Sequence, residues 1–274
     1  MDGILIVDKK EGILSFDVIR DVRKKYNEKK VGHIGTLDPL ASGILPILIG
    51  KATKLSDYLM QHDKEYISKI KLGMSTSTGD REGKITDTCT IPKNLNEEEI
   101  SKVLNKFLGV TYQVPPMYSA LKVNGKKLYE IARSGGEIER RPRKIEIFNI
   151  GLLNYDSIEN EIEYKVTCSK GTYIRVLSED IAKKMNTCGY MSYLRRTRVG
   201  NFKIEDSGKF IPLEDIFLNN DKFIIKDDEY LKKFLNGVKI NTKIDSKLCN
   251  VYFKEKFIGI GKVENNKIAR FIIK

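Results

Sequence analysis

The sequence has few of the residue types that build metal sites and disulfide frameworks. It has no tryptophan, two histidines, and four cysteines far apart in the chain: His33, His62, Cys89, Cys168, Cys188 and Cys249. Two histidines exclude a histidine-rich metal site, and the lack of any C-x-x-C pair argues against a zinc site or a disulfide framework. We therefore expect four reduced thiols, as in a cytosolic protein.

Long apolar stretches are also missing. No segment approaches the ~18 uninterrupted apolar residues of a membrane span, and the opening MDGILIVDKKEG is charged too early to be a signal peptide. These features predict a soluble, cytoplasmic protein that does not enter a membrane. With 274 residues, 41% of them hydrophobic, the chain can bury a core, which excludes overall intrinsic disorder.

Basic residues are in excess and are unevenly distributed. Lys and Arg total 49 against 37 Asp and Glu, a net charge of +12. Residues 222–274 hold 13 basic and 6 acidic side chains, residues 121–150 hold 8 and 4, and Arg195, Arg196 and Arg198 form a third cluster. Each cluster alone is compatible with a solvated or salt-bridged surface, but three of them favour a nucleic-acid partner.

Hydrophobic spacing predicts helices and strands in irregular alternation. Helices are expected at residues 15–26, capped by Ser15, and at 52–61, 96–108 (capped by Asn96), 128–133 and 174–185. Strands are expected at 3–7, 45–49, 66–72, 143–153, 161–167, 191–198, 248–253, 257–263 and 268–273, with a tight turn at Asn124-Gly125. This order predicts an α+β fold with a mixed, mainly antiparallel central sheet and flanking helices. A composition change near Pro212 predicts a main domain at 1–215 and a small basic β-domain at 220–274.

Asp38 is the leading candidate for chemistry from pattern alone. It lies in a glycine-rich loop, close to His33 and followed by Pro39. Loops on a rigid scaffold often carry catalytic groups. Asp-Pro is also a common turn element, so the pattern leaves a purely structural role open.

The segment around Asp38 resembles a known enzyme family. GHIGTLDPLASGILPILIGKATK, residues 32–54, is similar to the signature of the TruB family of pseudouridine synthases. Five further blocks match in order: IVDKKEGILSFDVIRDVR, KEYISKIKLGMSTSTGDREG, VPPMYSALKVNGKKLYEIAR, CSKGTYIRVLSEDIA and YLRRTRVGNF. The resemblance covers residues 3–202, which makes it far more specific than any single short motif.

The resemblance implies a fold and an activity. It implies the pseudouridine synthase fold with a small C-terminal PUA-like domain that binds RNA. The implied reaction converts uridine 55, in the TΨC loop of tRNA, to pseudouridine. The resemblance implies no cofactor and no metal, and tRNA as the partner of a monomer that needs no other protein.

The resemblance also assigns roles to individual residues. Asp38 is implied as the catalytic aspartate and Arg175 as the arginine that pairs with its carboxylate. Tyr66 is implied to stack on the flipped base. Tyr173 is implied to lie near that base, and Leu194 to form an apolar wall of the uracil pocket.

Further positions are implied to contact RNA or order loops. His33 is implied to support the target loop, and Asp80 and Lys54 to contact nucleotides or order loops. The sequence departs from the family pattern at Ile34, where threonine is usual, and at Tyr190, where histidine is common. We expect these two departures to alter contacts with the RNA loop.

The chemistry explains the residue types but leaves two routes open. Breaking N1–C1′ and forming C5–C1′ neither gains nor loses atoms, so no redox cofactor is required. Asp38 could attack C1′, as glycosidase carboxylates do, or remove the C2′ proton. Two alternative functions also stay open: a guide-RNA-dependent pseudouridine synthase, and a tRNA-folding chaperone with incidental catalysis.

Overall fold

Two β-sheets, one within residues 3–212 and one within residues 222–273, organise the chain. The structure is a computed structural model that describes residues 1–119, 121–123 and 125–274. Asn124 of the predicted turn lies outside the described residues. The α+β fold with a mixed, mainly antiparallel central sheet that the sequence predicts is confirmed.

The first half of the chain supplies the edge and centre of the first sheet. Its elements are β1 (Gly3–Lys9), α1 (Ser15–Tyr26), β2 (Val31–His33), β3 (Ser42–Ile49), α2 (Ser56–Leu59), β4 (Lys64–Leu72), β5 (Met74–Thr76), β6 (Ile85–Thr88), α3 (Glu97–Asn105), β7 (Gly109–Gln113), β8 (Lys122–Val123), β9 (Lys126–Lys127) and α4 (Leu128–Arg133).

The second half completes this sheet and forms the other. Its elements are β10 (Arg143–Asp156), β11 (Glu161–Cys168), α5 (Ile174–Lys184), β12 (Gly189–Val199), β13 (Phe202–Lys203), β14 (Phe210–Pro212), β15 (Lys222–Ile225), α6 (Asp228–Leu235), β16 (Ile240–Asn241), β17 (Leu248–Phe253), β18 (Lys256–Glu264) and β19 (Lys267–Ile273).

The first sheet is antiparallel except at one strand pair. Its order is β14-β1-β3-β12-β4-β11-β10-β7, with β13 on β12 and β2 on β3. The parallel pair is β3 with β12, where Ser42 lies opposite Arg195 and Gly43 opposite Arg196. This pairing brings the residues just after the Asp38 loop against the arginine-rich strand. The second sheet has the order β15-β17-β18-β19-β16, with β15 and β17 parallel.

Burial alternates from residue to residue along β4, the strand that carries Tyr66. Lys64, Tyr66, Ser68, Ile70 and Leu72 are all buried, and the residues between them are partly exposed. Side chains of alternate residues point to the same face of a strand. The pattern therefore fixes Tyr66 on the inner face, where α3 and α5 cover the sheet.

Two predicted helices differ from the observed ones at their ends. Ser15 was expected to cap α1, but it is the first helical residue, and its hydroxyl contacts Leu37 instead. The predicted helix at 52–61 is a 3-10 turn, Gly50–Leu55, followed by the single α-helical turn of α2. The prediction at Asn96 is confirmed, since its side chain accepts a 3.0 Å hydrogen bond from the Glu99 amide.

The expectation of four reduced thiols is wrong for one pair. Cys89 and Cys188 form a disulfide, with Cα atoms 5.6 Å apart, across 99 residues of sequence. Both segments hydrogen-bond to Gly73: its carbonyl accepts from the Cys89 amide, and its amide donates to the Cys188 carbonyl. Spacing in the sequence does not reveal this proximity, because the end of β4 brings the two cysteines together. Cys168 and Cys249 are free and buried.

The hydrophobic core continues from the first sheet into the second. One cluster joins β1, β3 and the 3-10 segment Leu213–Phe217 to residues of the second sheet, among them Leu248, Phe257, Ile260 and Ile272. A separate cluster lies beneath α6, around Phe234. The C-terminal part therefore has a small core of its own and also packs against the N-terminal part.

Candidate functional site

The Asp38 loop, residues 34–41, connects β2 to β3, and hydrogen bonds to α1 hold it in place. The Ser15 hydroxyl donates to the Leu37 carbonyl at 2.9 Å and accepts from the Leu37 amide at 3.0 Å. Gly35 has φ +83°, a left-handed conformation that favours glycine. Within the loop, the Ala41 amide donates to the Asp38 carbonyl. These contacts present an Asp38 side chain that is 39% exposed.

Arg175, in the first turn of α5, connects Asp38 to the β5–β6 hairpin. Its buried guanidinium lies 3.1 Å from a carboxylate oxygen of Asp38 and 3.7 Å from one of Asp80. It also donates to the carbonyls of Thr78 at 3.2 Å and Tyr118 at 2.7 Å. A cation at a helix N-terminus opposes the helix dipole, and the two carboxylates offset this. Arg175 thereby fixes the Asp38 carboxylate at the cleft.

Asp80 reaches Arg175 because its hairpin is internally ordered. Its carboxylate accepts from the Thr78 hydroxyl and the Glu82 amide, at 3.1 Å for the latter. The Thr76 hydroxyl donates to the Asp80 carbonyl at 2.6 Å. Asp80 is almost fully buried and contacts Nη1 of Arg175, whereas Asp38 contacts Nε, and Asp80 is not among the residues that line the cleft. It therefore orders the arginine and does not line the cleft.

A cleft of about 690 Å³ brings together five of the residues singled out in the sequence. They are Asp38, Tyr66, Tyr173, Arg175 and Leu194. Tyr66 and Leu194 lie on the paired strands β4 and β12 and supply an apolar surface. Burial raises the pKa of Tyr66 to about 12, so its phenol stays neutral at physiological pH. The arrangement presents the Asp38 carboxylate to a cleft with aromatic and aliphatic walls.

Tyr173 is positioned by a reciprocal amide contact. Gln113, at the end of β7, donates through Nε2 to the Tyr173 carbonyl at 3.0 Å, and its Oε1 accepts from the Tyr173 amide at 2.8 Å. Burial also raises the pKa of the Tyr173 hydroxyl. The edge strand β7 therefore contributes to the site, although no strand was predicted there.

Two predicted residues lie away from the cleft. Lys54 is exposed in the 3-10 turn that follows β3. His33 is half-buried at the end of β2, and its Nδ1 has no hydrogen-bond partner among the described residues. Burial, and secondarily the charge of Arg196, lowers the pKa of His33. Neither residue lines the cleft that contains Asp38.

The two departures from the family pattern also lie outside the cleft lining. Ile34 is completely buried in the cluster that joins the two sheets. Its side chain is covered by protein, so an effect of Ile34 on the RNA loop would be indirect, and the expectation stays a prediction. Tyr190 is partly exposed near the start of β12, opposite Lys71.

The arginines of β12 form structural contacts. Arg195 pairs bidentately with Asp8, at 2.8 and 3.2 Å, and Arg198 pairs with Asp63 at 2.7 Å. Arg196 is buried and lines the cleft. Arg195 and Arg198 therefore fit the salt-bridged strand that the sequence left open, not a set of free phosphate ligands.

Two buried lysines near the Asp38 loop, Lys9 and Lys64, were not predicted from the sequence. The buried ammonium of Lys9 donates to the carbonyls of Lys10, Ile13 and Pro39 at 3.0, 2.8 and 3.3 Å. Lys64 lines the cleft and donates to the Met60 carbonyl at 2.9 Å and to the His62 carbonyl. Period two in β4 was the signal available for Lys64, because it lies two residues before Tyr66.

Metal-ligating side chains come together at one place in the described part of the chain. Asp87, Cys89 and Cys188 offer ligand atoms within 4.8 Å of one another. Because the two cysteines are joined as a disulfide, they present no thiolate to a metal. As for membranes, none of the helices in the described ranges has the length and apolar character needed to span a bilayer.

Sequence comparison identifies relatives along the whole chain. Residues 23–174 match the profile described as TruB family pseudouridylate synthase, N-terminal domain, and residues 175–239 match the tRNA pseudouridylate synthase B C-terminal domain. The chain is 46% identical to tRNA pseudouridine synthase B of Clostridium kluyveri, over 95% of each chain. It is also 46% identical to that of Clostridium acetobutylicum, over 99% of this chain and 100% of the relative.

Comparison of structures finds the same fold in larger assemblies. A chain in an H/ACA RNP bound to a substrate RNA containing 2′-deoxyuridine superposes with a TM-score of 0.70 at 21% identity. A chain of a Cbf5-Nop10-Gar1 complex gives 0.68 at 25% identity. Each superposition covers 99% of this chain and 84% of the other.

Proposed function

Because the chain belongs to the TruB family of pseudouridylate synthases, we propose that it converts uridine 55 in the TΨC loop of tRNA to pseudouridine, with Asp38 as the catalytic residue. The observation that carries this proposal is the Arg175 guanidinium, shared between Asp38 and Asp80 at the cleft that Tyr66 and Leu194 also line. The relatives named tRNA pseudouridine synthase B, identical at 44–46% over nearly the whole chain, support tRNA as the substrate.

The reaction needs one carboxylate and no external reagent. The N1–C1′ bond of the uridine breaks, the uracil turns within the cleft, and C5 bonds to C1′; the proton lost from C5 is balanced by one gained at N1. Asp38, in its ionised form, attacks C1′ or removes the C2′ proton. A cofactor is unnecessary because the overall change is an isomerisation.

The target base must leave its stack to reach Asp38. Flipping a nucleotide costs a few kcal/mol, which contacts in the pocket must offset. Tyr66 and Leu194 provide a buried aromatic ring and an aliphatic wall, and Tyr173 lines the same cleft as the Asp38 carboxylate. These side chains give the cleft beside Asp38 the aromatic and aliphatic surface that an extruded uracil would contact.

The remaining parts of the chain fit an RNA substrate. We propose a catalytic domain at 1–215 and an RNA-binding, PUA-like domain at 220–274, where basic side chains outnumber acidic ones by 13 to 7. His33 and Lys54 lie outside the cleft and are proposed to contact or support the tRNA loop. The enzyme would act as a monomer, without another protein, in the cytoplasm where tRNA is matured.

The decisive experiment maps pseudouridine in an unmodified tRNA transcript by carbodiimide treatment and primer extension. Wild-type protein without guide RNA or cofactor should give one new stop, at position 55. Asp38→Asn should give none, while its affinity for tRNA stays within about threefold, because the amide keeps the size but not the charge of the carboxylate. Asp17→Asn, which changes a carboxylate on α1, serves as the matched control and should retain full activity.

The outcomes separate the competing functions. A stop that persists at wild-type rate with Asp38→Asn would refute the assignment of Asp38. Tight tRNA binding without any stop would favour the folding chaperone. A stop that appears only when a guide RNA and accessory proteins are added would favour the guide-dependent enzyme, whose assemblies share this fold.

A further inference from the structure

Within the described part of the chain, Arg196 is a buried cation without a carboxylate partner. It is 1% exposed, and none of the ion pairs among residues 1–119, 121–123 and 125–274 includes it. Its neighbours on β12, Arg195 and Arg198, are more exposed, and each pairs with an aspartate. Burying a charge without an opposite charge is unfavourable unless its hydrogen bonds are satisfied. The hydrogen-bond partners of Arg196 therefore indicate the role of its guanidinium.

Those partners are the two ends of the segment that carries Asp38. Nε of Arg196 donates to the Ile44 carbonyl at 2.9 Å, and Nη2 donates to the Gly35 carbonyl at 3.0 Å. Gly35 lies three residues before Asp38 and Ile44 six residues after it. One planar guanidinium thus bridges residues 35 and 44 and closes the loop that presents the carboxylate.

The fit between Arg196 and the loop is close. A Cβ added to Gly35 would lie 3.3 Å from Nη1, and one added to Gly43 would lie 2.2 Å from the Arg196 carbonyl oxygen. The parallel pairing of β3 with β12 also fixes the Arg196 backbone opposite Gly43. Movement of the arginine would therefore move the loop.

Arg196 also contacts the aromatic wall of the cleft. It lies opposite Tyr66 in the β4–β12 register, and both side chains line the cleft. Burial dominates the high pKa of Tyr66, and the charge of Arg196 opposes part of that rise, which places the guanidinium near the phenol. Arg196 thus lies between the Asp38 loop and Tyr66, the tyrosine proposed to stack on the base.

We propose that Arg196 is a positioning residue for the reaction, which sets the loop bearing Asp38 against Tyr66 by holding the Gly35 and Ile44 carbonyls. This role rests on the proposed function of Asp38. An ammonium does not reproduce the planar fork of donors that reaches both carbonyls, so lysine is not a conservative replacement here. An error of about 1 Å in the position of a catalytic group can cost about 100-fold in rate.

The test is Arg196→Lys in steady-state pseudouridine formation on the tRNA transcript. We expect kcat to fall between about tenfold and 100-fold, with KM and the dissociation constant for tRNA within about twofold. Hydrogen exchange at residues 35–44 should become faster than in wild type, while exchange in the second sheet stays unchanged. Arg198→Lys, on the same strand but paired with Asp63, is the matched control. It should keep the wild-type kcat and the wild-type hydrogen exchange at residues 35–44.

A merely structural role predicts a different pattern. In that case kcat per folded molecule, measured well below the melting temperature, equals that of wild type, and that result would overturn the proposal. A raised KM with an unchanged kcat would also overturn it, because Arg196 would then bind RNA. If wild type itself makes no pseudouridine, the proposed function fails, and the exchange of residues 35–44 still tests whether Arg196 holds the loop.

A second variant tests the same contact if Arg196→Lys does not fold. Gly35→Ala places a methyl group against Nη1, at a residue with φ +83°. Gly208→Ala introduces the same kind of backbone strain, at φ +88°, with no atom within 4 Å of the new Cβ. We expect Gly35→Ala to lower kcat about tenfold or more and Gly208→Ala to leave it within about twofold. Equal activity of the two variants would overturn the proposal.

Discussion

Besides Arg175, three buried cations surround the Asp38 loop, and their main contacts are to backbone carbonyls. Lys9 donates to the Pro39 carbonyl, Arg196 to the Gly35 carbonyl, and Lys64 to carbonyls at the end of α2. Such contacts fix backbone segments without neutralising the charge. The cleft therefore has positive potential on several sides, which suits a polyanionic substrate.

The pH dependence of stability should reveal the buried ammonium of Lys64. Burial lowers the pKa of Lys64 from its ordinary value near 10.5 to about 8. Between these values the unfolded chain binds more protons than the folded protein, so the free energy of unfolding gains a contribution that increases with pH. The unfavourable contribution is complete below pH 8 and disappears as the pH rises towards 10.5. Relative to Lys64→Met, wild type should gain about 2 kcal/mol between pH 7.5 and 10.

Urea unfolding of both proteins at several pH values measures this difference. Other groups that titrate in the same range, such as Cys249, are present in both proteins and cancel. Lys84→Met, which removes an exposed lysine, controls for the loss of one surface charge. A difference between wild type and Lys64→Met that does not change with pH would contradict the prediction.

At the residue level, the sequence predicted the residues that line the cleft better than the residues whose hydrogen bonds hold the Asp38 loop in place. Asp38 was a candidate from the pattern of its loop, Tyr66, Tyr173, Arg175 and Leu194 came from the family resemblance, and the structure brings all five together. The supporting contacts were not predictable, because they join residues distant in sequence through backbone carbonyls. Ser15 illustrates this: its pattern predicts a helix cap, but its hydroxyl serves Leu37 in the Asp38 loop.

At the level of elements, long periodic segments were predicted well and short ones were not. Strands β4, β11 and β12 were placed within about two residues of their ends. The short strands β2 and β7 were missed, because three or five residues give no clear periodicity and depend on their neighbours for pairing. Helix α6 was missed too, although Asp227 caps it through the Tyr230 amide.

The β5–β6 hairpin has a contact that the sequence did not predict. Its far end is attached through the Cys89–Cys188 disulfide to the start of β12, and its turn carries Asp80. The Met191 amide of β12 donates to the Gly79 carbonyl at 3.0 Å beside that turn. The disulfide therefore anchors the β5–β6 hairpin, whose Asp80 pairs with Arg175.

Reduction of this disulfide should loosen the hairpin locally. We expect hydrogen exchange at residues 74–88 to become faster when wild type is reduced, with the Asp38 loop much less affected. Closing a loop of this size lowers the entropy of the unfolded chain, worth on the order of 4–5 kcal/mol in the chain-entropy account, so the melting temperature should fall as well. Exchange mass spectrometry with and without reductant measures the first effect.

Cys89→Ser provides the control for reduction. It cannot form the disulfide, so reductant should change neither its exchange nor its melting temperature. Alkylation of denatured wild type should label two thiols, Cys168 and Cys249, before reduction and four after it. Four labelled thiols without any reductant would contradict the structure at this point.

At the scale of the whole molecule, one hydrophobic cluster joins the two sheets. Leu213 and Phe217 of the 3-10 segment pack with Phe257 and Ile260 of β18, alongside residues of β1 and β3. Charge and composition in the sequence separated a basic C-terminal part, but they did not show this shared packing, because it forms only when both sheets are assembled. We therefore expect the two parts to stabilise each other.

The whole-molecule prediction is that Phe257→Ala destabilises both sheets together. Phe257 is buried in the shared cluster and contacts Tyr252 edge to face, so its removal should cost about 3–5 kcal/mol of unfolding free energy. Two probes measure the result during urea unfolding: far-UV circular dichroism for the whole chain, and the alkylation rate of Cys168 for the first sheet. Both midpoints should shift equally, because loss of the shared packing weakens the assembled molecule. Phe234→Ala, in the separate cluster beneath α6, should affect the second sheet first, and a shift confined to that sheet with Phe257→Ala would contradict cooperative unfolding.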